Sequence, residues 1–195
     1  MLYKIAHLLR DKLSWLWDII EKLNSLLFSM RYGRRLKGFS YTTVPEGYEV
    51  RLLRDVPTEE LVSFFGQQPE DAYTFFHPHG FDAESIKKLQ NNRAFLAYVL
   101  IDKKNGRIAG YCFNRSFFHG VGYRGRMVDV NYRGKGLGTA MNKMLNEAGF
   151  HLGLRLFETV SKDNVASYRS AMSASNVKVV KELPHNELYL EIVKP

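Results

Sequence analysis

Three groups of residues in this chain have the types and spacing to do chemistry. The densest is "RGKGLG" at 133–138, three glycines and two cations directly before an apolar run. Glycine lets backbone N–H groups converge on an anion, and a helix start adds its positive dipole end. Arg133, Gly134, Lys135, Gly136, Leu137 and Gly138 therefore read as a seat for an anion such as a diphosphate, or, taken alone, as a basic loop that merely caps the helix. The spacing is neither the GxGxxG of a dinucleotide fold nor the GxxxxGK of a P-loop. The second group is "FFHPHGF" at 75–81. His77 and His79 offer imidazoles, whose unperturbed titration near about 6.5 suits proton uptake, or the histidines and phenylalanines simply pack the loop onto the core. The third is "VGYRGRM" at 121–127. On a strand, Arg124 and Arg126 share one face and Tyr123 takes the other; paired arginines suit an acidic ligand. Glu158, on a later strand, is a second candidate base.

The elements that must position these groups follow from periodicity and turn residues. Strand "YEVRLLR" (48–54) precedes a helix "TEELVSFFG" that Thr58 can cap, and a second helix covers about 83–92. "AFLAYVLID" and "RIAGYCFNR" flank "KKNG" as a hairpin, and "GVGYRGRMVDV" is a strand that runs into the glycine-rich turn. A helix over 137–148, strand "RLFETV", a helix over 164–174 and strands "VKVVKEL" and "ELYLEIV" complete the chain. The order mixes antiparallel meanders with one strand–helix–strand unit, so the class is α+β, or mixed α/β.

In that order of elements, "VDVNYRGKGLGTAMNKML" resembles the coenzyme A signature of the GCN5-related N-acetyltransferase (GNAT) superfamily. Arg133, Gly136 and Gly138 fill its Arg-x-x-Gly-x-Gly run, and the step from Val160 to Asn164 matches the family's next motif. The resemblance covers about 48–195 and implies a central mixed sheet flanked by helices, with acetyl-coenzyme A as acyl donor. It implies that amides of residues 133–139 hold the diphosphate. It also implies that Met127, Val128 and Val130 run beside the pantetheine arm, with Asn164 and Ser167 contacting the cofactor or simply capping their helix. A main-chain N–H where the fourth and fifth strands splay would bind the oxyanion.

The chain departs from the family at the acid and the base. Ala171 stands where the usual tyrosine would, leaving Tyr168 as the nearby substitute, and the fourth strand offers no early carboxylate. Asp129 lies too far along and reads as structural. The expected reaction moves an acetyl group to the primary amine of a small acidic acceptor, such as a nucleotide-linked amino sugar, with Tyr123, Arg124 and Arg126 at the acceptor. A protein amine, or a non-catalytic acyl-coenzyme A-binding regulatory module, are the alternatives.

Composition narrows the partners. A 45% hydrophobic content can build a core, and the net charge of +8 favours anionic partners. Eight Lys and Arg against three Asp and Glu fall within residues 1–39, so a uniformly basic nucleic-acid binder is not expected. Cys112 alone excludes an internal disulfide and a cysteine zinc cluster, and no metal is expected at His77, His79 and His119. No run reaches the roughly 18 apolar residues of a membrane span. Arg10, Asp11, Lys12 and Asp18 break any signal-peptide core, so the cytoplasm is the expected location.

Residues 1–37 form an expected amphipathic helical leader, joined by a linker (38–47) to the catalytic-sized domain at 48–195. Leu2, Ala6, Leu9, Leu13, Leu16, Ile20, Leu23, Leu27 and Met30 make a heptad seam, and Arg31, Arg34 and Arg35 cluster at its end. Three readings stay open for it: a homo-oligomer or partner helix, an in-plane contact at the inner membrane surface, or packing onto its own domain.

Overall fold

The computed structural model describes residues 14–194; the seam positions Leu2, Ala6, Leu9 and Leu13 lie outside that range. Seven strands form one sheet: β1 (Tyr48–Leu52), β2 (Phe95–Asp102), β3 (Ile108–Phe117), β4 (Val121–Val128), β5 (Arg155–Ser161), β6 (Asn176–Leu183) and β7 (Glu187–Val193). Their spatial order is β1-β2-β3-β4-β5-β7-β6. Every neighbouring pair is antiparallel except β4 and β5. The helices are α1 (Ser14–Leu36), α2 (Thr58–Gly66), α3 (Ala83–Asn91), α4 (Leu137–Leu152) and α5 (Val165–Ala174).

β2 is apolar along its length because both of its faces are covered. Phe95, Ala97, Val99 and Ile101 pack with α2 and α3 through Leu61, Phe65 and Ile86. Leu96, Tyr98 and Leu100 pack on the opposite face with α4 through Met141, Met144 and Leu145. The α4 helix runs past the expected residue 148 to Leu152, where Gly153 takes a left-handed cap. It lies very close to β5, since a Cβ on Gly149 would come within 2.6 Å of the Leu156 side chain. α5 lies on the α4 side, with Tyr168 and Met172 against Val160, Leu188 and Leu190.

The α1 helix packs on the domain through one face. Phe28 and Tyr32 are buried in the α4-side core. Asn24 exchanges hydrogen bonds with the Ser116 carbonyl and the Phe118 N–H, each 3.0 Å, and Glu21 pairs with Arg115. The segment read as a linker also packs inward. Phe39, Tyr41 and Val44 pack against that same core, and Thr42 and Thr43 donate to Glu147.

Candidate active site

The β4–β5 pairing is short. It joins Val121–Tyr123 to Arg155–Phe157 and then stops, so Arg124–Val128 and Glu158–Ser161 diverge, and main-chain groups on those edges lack a neighbouring strand. The glycine-rich turn closes the wide end of this gap. Gly134 and Gly136 have φ values of +76° and +75°, a conformation that residues with a Cβ rarely adopt. Gly136 is the N-cap of α4 and supplies no side-chain cap. The first bond within the helix runs from the Ala140 N–H to the Gly136 carbonyl, 3.1 Å. The N–H groups of residues 137–139 therefore precede the helical ladder, at its positive end.

The turn is anchored from behind. Asp129 accepts from the Asn131 N–H (2.8 Å) and from Gln68 (2.8 Å), and Gln68 accepts from the Val130 N–H (3.2 Å). Asp129 is buried in this network, the structural role expected of it. Arg133 reaches Asp71 at 3.6 Å, and the Lys135 ammonium lies over the Tyr132 ring.

Turn and gap open into a cleft of about 730 Å³. Met127, Val128, Arg133, Gly134, Gly136, Leu137, Gly138, Thr139, Asn164 and Ser167 line it, as do Arg124, Arg126 and Glu158. The Asn164 side chain accepts from the Ser167 N–H at 3.1 Å and so caps α5. Val130 and Lys135 belong to the same strand-to-helix segment but do not line the cleft.

Across the gap, both strand-four arginines converge on one carboxylate oxygen. Arg124 Nε donates to Glu158 Oε2 at 2.7 Å and Arg126 Nη1 donates to it at 3.3 Å. Arg126 also donates to the Ser167 carbonyl (2.9 Å), and Arg124 to Asn146. The arginines expected at an acidic acceptor are thus spent on Glu158 and on α4 and α5. Burial alone would raise the Glu158 carboxyl, but the two guanidinium groups outweigh it and hold the pKa below the ordinary carboxylate range. Such a group is a weak base at neutral pH. Its Oε1 is buried with no hydrogen-bond partner among the described residues.

The histidines stand elsewhere. The His79 Nδ1–H donates to the Gly80 carbonyl (2.7 Å), which leaves Nε2 to accept from the Tyr111 hydroxyl (2.9 Å). Burial pushes its pKa down to about 4. His77 and His79 line a separate cavity between α1 and α3, not the cleft. Tyr168 packs on Val160, Leu188 and Leu190 and does not line the cleft. Tyr132, which does line the cleft, commits its hydroxyl to Asp102 at 2.8 Å.

Residues that the sequence reading did not single out complete the walls: Phe75 and Phe76 above the gap, Thr159 on β5, and Arg169, Ser170 and Ser173 on α5. The serines carried a usable signal, since Ser167, Ser170 and Ser173 recur at the three-residue step that joins one helical turn to the next. On the sheet face away from α4, Tyr123 lies 6.0 Å from Phe157, which stacks on Tyr189 at 5.3 Å. The strip borders the cleft, because Thr159 pairs with Tyr189 and Gly125 is two residues from Tyr123. An uncapped amide turn, flanking cations and a gap between strand edges fit a diphosphate carried on a long polar arm.

The family model described as "Acetyltransferase (GNAT) family" matches residues 59–171. A search of curated proteins finds no match. Among solved structures, the chain is similar to the ribosomal-protein-S5-alanine acetyltransferase from Vibrio fischeri. Identity is 18% and the TM-score 0.60, over 80% of this chain and 98% of that one. It is similar to the GNAT domain of S. lividans PAT at 14% identity and a TM-score of 0.64, covering 74% and 89%. It is also similar to yncA from Salmonella typhimurium, solved with its cofactor acetyl-CoA. There identity is 15% and the TM-score 0.55, over 76% and 94%. The family match takes in β4, the glycine-rich turn, β5 and α5 up to Ala171, and with it this chain belongs to the GNAT family of acetyltransferases.

Proposed function

We propose that this chain acetylates the primary amine of a small amino sugar, with the donor in the β4–β5 cleft and the acceptor on the aromatic strip. Acetyl-coenzyme A supplies an acetyl group activated as a thioester. The N–H groups of residues 133–139 would hold its diphosphate, with Arg133, Lys135 and Arg169 adding positive charge. The unpaired edge of β4 over Gly125–Val128 would take the pantetheine amides as a neighbouring strand would, and one N–H there would stabilise the oxyanion. Glu158, Arg124 and Arg126 serve as positioning residues. They span β4 and β5 where main-chain pairing has ended, and the free Oε1 suits an amide N–H of the arm.

The observation that carries the reading is this cleft, with its uncapped amide turn at one end and a strand gap at the other. Tyr123, Phe157 and Tyr189 support a sugar, whose C–H face stacks on aromatic rings. Arg155 and Glu191, paired at 2.8 Å beside Phe157, offer polar edges for hydroxyls. Arg155 is paired with Glu191 as Arg124 and Arg126 are with Glu158, so the strip argues for the sugar rather than for its acidity; a nucleotide-linked sugar is the acidic member of the class.

Transfer forms an N–C bond, breaks the C–S bond and moves one proton from the amine to the departing thiolate. Since Glu158 is a weak base and both ring nitrogens of His79 are engaged, the acceptor ammonium loses its extra proton to water at the open mouth before attack. The second proton, shed as the N–C bond forms, is the one that ends on the thiolate. Thiol release from acetyl-coenzyme A should therefore be seen with amino sugars, and kcat/KM should rise with pH to the pKa of each acceptor. A rise fixed at one pH for all acceptors would point to a base on the protein. Release with peptide amines but not sugars would move the acceptor to protein, and release with no amine would leave binding alone.

A further inference from the structure

We propose that the outer face of α1 binds the surface of an anionic membrane, lying in the plane of the interface. The helix is sorted by face. Phe28, Tyr32, Asn24 and Glu21 turn to the domain. Trp15, Ile19, Leu23, Leu26 and Met30 turn away from it, each more than half exposed, Met30 at 74%. At about 100° per residue these five fall within an arc of roughly 80°. They form a continuous apolar stripe, the feature that marks an interaction surface on an otherwise polar exterior.

Charge selects the occupant. The two acids of α1 lie toward the domain, Asp18 reaching Lys88 at 3.8 Å and Glu21 pairing with Arg115. The exposed charges bordering the stripe are cations: Lys22 on one side, Arg34 on the other and Lys37 just beyond the helix end. Among the described residues none of these three has a carboxylate partner. A second copy would set this cationic border against itself, since a two-fold contact pairs like with like. An anionic headgroup layer answers both features at once, taking the apolar stripe into the acyl boundary and the cations at the phosphates. Trp15 suits that boundary, being apolar with one polar N–H. No helix among the described residues is long and apolar enough to span a bilayer, so the contact is peripheral.

The test is co-sedimentation of the intact chain with vesicles of phosphatidylcholine, alone or mixed equally with phosphatidylglycerol. The proposal expects binding to the mixed vesicles at least about tenfold stronger than to phosphatidylcholine, weakening with added salt. Leu23→Asp with Leu26→Asp should abolish it, and Lys22→Glu with Arg34→Glu should weaken it about tenfold. All four residues are exposed, so the melting temperature should hold in both variants and separates lost binding from lost folding. Equal binding to both vesicle types overturns the electrostatic half. No binding to either overturns the proposal, as does a dimer in solution that the double aspartate variant dissociates.

Discussion

His79 is held neutral among the rings of Phe65, Phe81, Phe95, Tyr111 and Phe113. Its pKa of about 4 lies below the value of 6.5 that the unfolded chain would show. Between those values the unfolded state binds the extra proton. Stability from this group is therefore complete above pH 6.5 and lost as pH falls toward 4, by about 3 kcal/mol. Denaturant melts over that range should show a shallower acid limb in His79→Gln than in the parent; an unchanged slope would refute the buried neutral ring. Glu158 makes the opposite case, a buried charge kept ionised. Glu158→Gln leaves two guanidinium groups facing each other and should cost roughly 3–5 kcal/mol in a melt; a loss under 1 kcal/mol would mean the pair is not closed in solution. For His79 the sequence leaves packing and catalysis both open, and for Glu158 it does not show the ion pair. "HPH" shows two imidazoles but not the rings around them, and Arg124 meets Glu158 across 34 residues, through a strand register that composition does not encode.

At the scale of elements, the glycine-rich turn was readable because each part has a local cause: an apolar strand, bare backbone, then a helical apolar period. The strands were readable for the same reason, as apolar runs, alternating or continuous, bounded by turn residues. The sequence places the end of α4 short, at 148, whereas the helix continues through Gly149, which lets it approach Leu156. The conformation of Gly136 yields a prediction. At φ +75° a β-branched side chain is a severe outlier, so Gly136→Val must re-aim the amides that open α4. The variant should fold but lose the rise in melting temperature that acetyl-coenzyme A gives by binding the native state. A full rise in that variant would take the diphosphate away from the turn.

For the molecule as a whole, α1 could not be assigned a side from sequence, because apolar residues cover too much of its circumference. The structure divides them: Phe28 and Tyr32 enter the core while the stripe from Trp15 to Met30 stays outside. The helix is thus part of the folded unit, and Phe28→Ala should lower stability by about 3–5 kcal/mol, as for other buried aromatic truncations. A loss near zero in urea melts would mean the helix is not docked in solution. The account's central claim is the location of the donor site, and amide hydrogen exchange with and without coenzyme A tests it most directly. Added coenzyme A should slow exchange in peptides covering the 133–139 turn and the free strand edge at 124–128, and leave the His77–His79 loop unchanged. Protection confined to that loop and α3, with the turn exchanging as fast as before, would contradict it.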